Sequence, residues 1–247
     1  YKKNVEIKKF CKKFFCEDFF DRKAKFKMRN LLIDGRIRDI ELDYLSKYFA
    51  VHKLPSSDEV YEEISAHSDI FYCKINDKVI CAPNAPIKNN NFIIGISEVK
   101  KNYPNDVPYN ACQIGNAIIG SKYTDKTINP NIIVKQGYVK CSICVTSTKS
   151  CITTDTGICK ILNNHGIDAT YIMEKNIKLL DKAGKPTQMQ GLIGGASMVF
   201  DDNFILFGDI EKLESKEKIL KHIEKYKLNL INFKGLDVND YGGGIIY

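Results

Sequence analysis

No apolar run in the sequence approaches the roughly 20 residues that a membrane-spanning helix requires, which sets aside a helical membrane protein. The N-terminus has no uninterrupted apolar segment followed by small residues, so no secretory signal is expected. There is no phosphate-binding glycine loop: residues 191–197, GLIGGAS, lack the Lys-Ser/Thr pair of a P-loop and lead into a hairpin rather than a helix. Cysteine pairs on tight turns are missing too. Nine cysteines, an odd number, are scattered through 247 residues, which reads as reduced thiols in the cytoplasm rather than a disulfide framework. Cys141-x-x-Cys144, with Cys151, Cys159 and His165 downstream, lies in a β-branched run without Gly or Pro. Strand geometry there would turn the two thiols to opposite faces, so no metal and no cofactor are expected.

What the chain has is an apolar content of 44% with 27% charged residues, the composition of a soluble globular protein able to bury a large core. Its net charge of +7 is concentrated in residues 1–29, which hold eleven Lys or Arg against four acids, so that the remainder is neutral. Ile7, Phe10, Cys11 and Phe14 recur there at helical spacing opposite Lys8, Lys9, Lys12 and Lys13, predicting a basic amphipathic arm that packs on the domain with its lysines in water. Contact with a membrane is confined to this arm, and nucleic acid is not an expected partner. Residues 30–247 form a single domain.

That domain is organised around residues 191–213, GLIGGASMVFDDNFILFGDIEKL. Gly194 and Gly195 precede an apolar strand, Asp201, Asp202 and Asn203 make a hairpin turn, a second strand covers 204–207, and Gly208-Asp209 opens a helix. Residues 140–162 repeat the scheme, with a strand over 141–145, a turn at 147–150, a strand over 151–153 and a helix over 158–162 behind Asp155. Looser copies begin at Asn110 and His67, and the final YGGGIIY keeps only the glycine turn and one strand. Further expectations are a strand over 31–33, a helix through Ile40, Leu42, Leu45 and Tyr48, a strand over 49–54 and a helix from Ser57 through Ile64. They continue with a buried strand over 92–96, a strand over 169–173, a polar loop over 182–190, a helix over 216–225 and a strand over 228–233. Five modules, each too small to fold alone, suggest an α/β ring. The last module lacks a partner strand that 31–33 can supply, which would close the ring through the chain's two ends and remove its exposed edges.

The GGGIIY ending, GGASMVF before a hairpin and helix, and HSDI, NACQ and KCSICV at matching places resemble the five-bladed pseudo-symmetric α/β propeller of the guanidino-group-modifying enzymes, the pentein superfamily. More specifically, residues 30–247 resemble a bacterial family assigned to that fold. The resemblance implies a cysteine that attacks a guanidinium carbon, a histidine that moves protons and carboxylates that bind the cation, as in arginine deiminases, dimethylarginine hydrolases and amidinotransferases. The sequence departs from that pattern in two places. Gly195-Ala196-Ser197 stands where active families carry His-x-Asp, and Tyr247 stands where their nucleophilic cysteine follows the glycine turn.

Strand alternation sorts the remaining candidates. Aligning the copies places His67, Asn110, Lys140, Gly195 and Gly243 in one layer and Asp69, Cys112, Ser142, Ser197 and Ile245 in the next. If both layers line an axial cavity, Cys112 is the first candidate nucleophile, activated by Lys140 and His67; His67 is the acid/base and Asp69 its orienter or a cation-binding carboxylate. Cys141 is the second candidate, since a one-residue change of register exchanges it with Lys140. Asn110, Lys140, Ser142 and Ser197 are candidate substrate-binding residues. Asp155 and Asp209 read as helix-opening carboxylates, His52 and His222 as surface or packing residues, and His165 as a turn residue. Two functions follow: a cysteine-dependent hydrolase or transferase, deiminase-like or amidinotransferase-like, acting on a guanidine or amidine in the axial cavity, or a non-catalytic propeller that binds a small ligand or a protein.

Overall fold

The structure, a computed structural model, describes residues 28–247; the arm expected over residues 1–29 lies almost wholly outside the described residues. The described chain is mixed α/β, with many short strands in three-stranded sheets and few helices. Five sheets share one plan, in which a leading strand pairs antiparallel with a middle strand and the middle strand pairs parallel with a third. These are β3 (Tyr72–Ile75), β4 (Lys78–Cys81) and β5 (Ile93–Ile94); β6 (Cys112–Ile114), β7 (Ala117–Ser121) and β8 (Ile132–Val134); β9 (Ile143–Ser147), β10 (Ser150–Thr153) and β11 (Asp168–Tyr171); β14 (Ser197–Phe200), β15 (Asn203–Leu206) and β16 (Asn229–Ile231). The fifth joins the two ends of the domain: β18 (Gly244–Ile246) leads, β1 (Arg29–Asp34) is the middle strand and β2 (Phe49–Leu54) the third.

The pairing of Leu31 with Ile246, Leu32 with Ile245 and Ile33 with Gly244 is the one anticipated from the truncated last repeat. It also explains why 31–33 is apolar without alternation. A strand flanked on both edges and covered on both faces has no solvent side, and Leu31, Leu32 and Ile33 are fully buried. Leading strands lie side by side in the order β18, β3, β6, β9. Strand β9 also packs on β14, and Met198 of β14 approaches Gly244 of β18. Four apolar clusters fill the spaces between and beneath the sheets.

Local signals account for most of the turns and helices. Asn76 and Asp77 adopt positive φ in the β3–β4 hairpin and Asp201 does so between β14 and β15, conformations that Asn and Asp tolerate best after glycine. The first helix, α1 (Asp39–Leu45), connects β1 to β2. Asp155 accepts from the Ile158 amide at 2.7 Å and caps a longer one, α4 (Thr156–Asn164). Asp209 caps a single 3₁₀ turn, Ile210–Lys212, and also accepts from Gly235 N, before α5 (Lys216–Lys225) begins. No helix among the described residues is long and apolar enough to cross a membrane.

Several expectations are corrected. Only Ile93–Ile94 of 92–96 is a strand, and it is exposed, because it is a third strand with a free outer edge. The helix from Ser57 to Ile64 is a 3₁₀ turn, Glu62–Ile64. The polar loop contains a strand, β13 (Pro186–Gln190), which pairs with β12 (Ile177–Leu180); β12 pairs in turn with β17 (Val238–Asn239), forming a sixth sheet outside the repeat. β13 is exposed and polar, so nothing in its pattern marks it. The correction with consequences for the site is that β3 and β9 each follow one helical turn, α2 (Ser68–Phe71) and α3 (Val139–Ser142). Ser68 thus corresponds to Val139 and Asp69 to Lys140, whereas strand alternation set His67 opposite Lys140.

Candidate functional site

The two helical turns place Asp69 and Cys141 face to face. On a helix successive side chains diverge by about 100°, so Cys141 and Lys140 separate by direction rather than by strand face. The Cys141 thiol donates to Asp69 Oδ2 at 3.1 Å and accepts from the Asn110 amide at 3.0 Å. Asn110 is fixed from three sides: its Nδ2 also reaches the Asp69 carbonyl at 3.0 Å, and its Oδ1 accepts from the Cys141 backbone N–H at 3.2 Å. All three residues are buried.

His67, which precedes α2, lies between two further carboxylates. Its Nε2 is 3.8 Å from Asp34 and its Nδ1 3.8 Å from Asp240, beyond hydrogen-bonding range. Neither ring nitrogen has a protein partner, and neither does Asp69 Oδ1. The flanking carboxylates are themselves restrained. Asp34 is gripped by Arg36 through Nη2 at 2.6 Å and Nε at 3.0 Å, and the same guanidinium donates to the carbonyls of Leu180, Glu62 and Glu63. Asp240 accepts from the backbone N–H groups of Leu192 at 2.7 Å and Gly242 at 2.9 Å.

Two glycines are needed for this closeness. A Cβ on Gly195 would fall 1.8 Å from Asp240 Oδ1, and one on Gly242 would fall 2.5 Å from the His67 Cβ and 2.8 Å from Asp69 Oδ1. Gly242 also has φ +68°, where other residues are strained. The glycine pairs conspicuous in the sequence therefore make room for the site, while Asp240 itself, and Asp34 with Arg36, escaped sequence reasoning. The signal that could have found Asp240 is its position directly before Tyr241-Gly242-Gly243, a carboxylate held at a backbone turn.

Burial pushes the Asp69 carboxyl up to about 6, against the opposing pull of His67 and Lys140. The Cys141 thiol is pushed well above its usual range, first by burial and then by Asp69 and Asp240. In this state the thiol is protonated and hydrogen-bonded to a carboxylate, a poor nucleophile. A cation entering beside Asp69 would reverse the sign of the local field and favour thiolate.

The other sequence candidates separate. Cys112 lies in an apolar cluster with Ile114, Ile119 and Val139, has no hydrogen-bond partner among the described residues, and is pushed up to about 12 by burial. Alternation on β6 predicts that Cys112 lines an axial cavity with His67 and Lys140, whereas its side chain is buried among apolar residues. Ser142 returns its hydroxyl to the Tyr138 carbonyl at 2.7 Å within its own turn. Lys140 and Ser197 line a separate small cavity. His222 is buried between Thr146 and Thr170 at 2.8 Å each, His165 closes α4 by bonding the Ile161 carbonyl, and His52 meets Asn30. All seven described cysteines are free, and among the described residues no group of three or more His, Cys, Asp or Glu is placed to hold a metal ion.

Comparison with known proteins places a family model over residues 32–246, described as a family of unknown function, DUF6873. No curated protein matches the chain.

Proposed function

We propose that this chain, which belongs to the DUF6873 family, is a cysteine-dependent hydrolase or transferase for a small cationic amidine or guanidine, with Cys141 as nucleophile. The observation that carries this reading is the thiol held between Asp69 and Asn110, together with the His67 imidazole, which acts on the same Asp69 carboxyl and whose two nitrogens have no protein partner. The shared plan of five sheets and the pairing of β18 with β1 favour reading the domain as the five-bladed α/β propeller of the guanidino-modifying enzymes. In this reading the catalytic set has moved from the family's usual positions to α2 and α3.

The chemistry follows from the geometry. A planar cation is drawn to Asp69 and Asp240, since Asp34 is already matched by Arg36. Its charge lowers the thiol's proton affinity, Asp69 takes the Sγ proton, and sulfur adds to the central carbon of the cation. Collapse of the tetrahedral adduct breaks a C–N bond, and His67 supplies the proton with which the amine leaves. Water or an acceptor amine, giving its proton to His67, then adds to the same carbon, the C–S bond breaks, and Asp69 returns its proton to Sγ. Cytoplasmic residence, where thiols stay reduced, belongs to the same reading.

A second reading, a non-catalytic ligand-binding domain, is favoured by one observation: Cys141 is only 4% exposed. Alkylation by chloroacetamidine and by its neutral counterpart chloroacetamide separates the two. The enzyme reading expects Cys141 to react about tenfold or more faster with the cationic reagent, the equivalent of about 1.4 kcal/mol of charge recognition, and expects Asp69→Asn to remove the preference. Equal rates, or labelling spread over other cysteines, would leave the binding reading.

A further inference from the structure

The Lys140 ammonium is held against the backbone of Gly194 and Gly243. Lys140 lines a cavity of about 120 Å³ between β9, β14 and β18, whose other walls are Cys144, Val145, Met198, Val199, Gly244 and Ile246, with Ser197 beside them. The ammonium has three N–H donors and one acceptor among the described residues, the Gly194 carbonyl at 2.9 Å. It forms no ion pair among the described residues, and no carboxylate lines the cavity. Lys140 pulls on the buried Asp69 carboxyl without touching it, and that carboxylate accepts the hydrogen bond of the Cys141 thiol. The Ser197 hydroxyl is committed to the Ile193 carbonyl at 2.6 Å. Val145, Val199 and Ile246 are half-buried, so the cavity opens to solvent past apolar side chains.

A half-buried ammonium with two free donors, at the end of a short apolar passage, has a definite complement. We propose that this passage is a binding site for an aliphatic monocarboxylate, its carboxylate on Lys140 and its short chain against Val145, Met198, Val199 and Ile246. Charge-assisted hydrogen bonds to the ammonium supply the polar anchor. The walls exclude a hydrated dianion because they offer no second donor, and the volume excludes a large acid. The site differs from that of Cys141 in its lining and in ligand charge.

The test is stabilisation of the full chain by butyrate at constant ionic strength, read as a concentration-dependent rise in melting temperature. Butyramide, the same chain without charge, and chloride, charge without a chain, are the comparisons. Butyrate is expected to raise the melting temperature saturably, with at least a fivefold lower half-effect concentration than either comparison. Lys140→Gln should abolish the response and Lys140→Arg retain it. If Lys140→Gln does not fold, Val199→Phe keeps the ammonium and fills the passage, and should abolish the response equally. Cys141→Ala should respond as the wild type does, which separates failure here from failure of the cysteine chemistry. A butyrate response that survives in Lys140→Gln or Val199→Phe, or one matched by butyramide or chloride, overturns the proposal.

Discussion

Two histidines are almost equally buried, His67 at 1% exposure and His222 at 3%, and they are housed in opposite ways. His222 on α5 is hydrogen-bonded through both nitrogens, to Thr146 on β9 and Thr170 on β11, and lies against the Tyr226 ring. It ties the helix that leads into β16 to the neighbouring β9–β11 sheet. His67 sits between two carboxylates that stop just outside hydrogen-bonding range, and no protein group satisfies either nitrogen. Buried polar groups in a fold are normally paired because an unpaired one costs roughly 1–3 kcal/mol. A fold that fully pairs one imidazole and leaves the other without a partner distinguishes a joint from a site.

Truncation should expose that difference most strongly. His222→Ala removes a packed ring and strips Thr170 of its partner, although Thr146 keeps Ser150 at 2.7 Å. It should lower unfolding free energy by about 3–4 kcal/mol. His67→Ala loses ring packing but breaks no hydrogen bond to the protein, and should cost less than half as much. Denaturant titration of both variants checks this. Equal costs would make His67 a structural histidine and remove the main support for the site.

Titration sharpens the comparison at a smaller magnitude. Burial holds His222 down at about 4, below its ordinary 6.5. Its contribution to stability is therefore full above pH 6.5 and declines as pH falls toward 4, where the unfolded chain takes up the proton first. Asp69 is displaced the other way, to about 6 from 3.8. It binds a proton more tightly when folded, so its cost appears as pH rises from about 4 to about 6. Each displacement corresponds to about 3 kcal/mol, and over pH 4–6 the two slopes oppose each other. Relative to the wild type, His222→Gln should gain stability as pH falls from 6.5 to 4, and Asp69→Asn should gain as pH rises from 4 to 6.5. Parallel stability–pH curves for Asp69→Asn and the wild type would mean that burial does not raise the Asp69 carboxyl.

The repeat was legible because it is written in turns: Asp201 before Asn203, Asp155 before α4 and the closing strand beside 31–33 all follow from backbone chemistry readable locally. The same reading failed where local pattern carries no information. The exposed PTQMQ of β13 has neither alternation nor apolar content, and its strand exists because β12 offers an edge. For the site, residue types were legible and geometry was not. His67, Asp69, Asn110 and Cys141 were all candidates, but a single helical turn before each of two strands, too short to show a 3.6-residue period, converts alternation into rotation and brings Cys141 rather than Cys112 to Asp69. Asp34, Arg36 and Asp240 come to His67 from distant parts of the chain, and no spacing encodes that meeting.

The exchange of the two thiols makes the smallest and most specific prediction. Cys112 fills an apolar cluster, so Cys112→Ala leaves a small void among isoleucines and should cost about 1 kcal/mol or slightly more, with the alkylation pattern of the other cysteines unchanged. Cys141 contributes hydrogen bonds to Asp69 and Asn110 rather than apolar packing. Removing it takes a thiol donor from Asp69 and an acceptor from Asn110, whose amide still reaches the Asp69 carbonyl, so Cys141→Ala should lower stability by about 1 kcal/mol or less while abolishing the preference for chloroacetamidine. Cys141→Ser, which keeps a donor for Asp69 and an acceptor for Asn110, should match the wild type in stability and Cys141→Ala in failing to alkylate. A preference for the cationic reagent that survives in Cys141→Ala and disappears in Cys112→Ala would reverse the assignment, returning the nucleophile to β6 and making the bonded trio of Asp69, Asn110 and Cys141 a structural device that fixes α2 against α3.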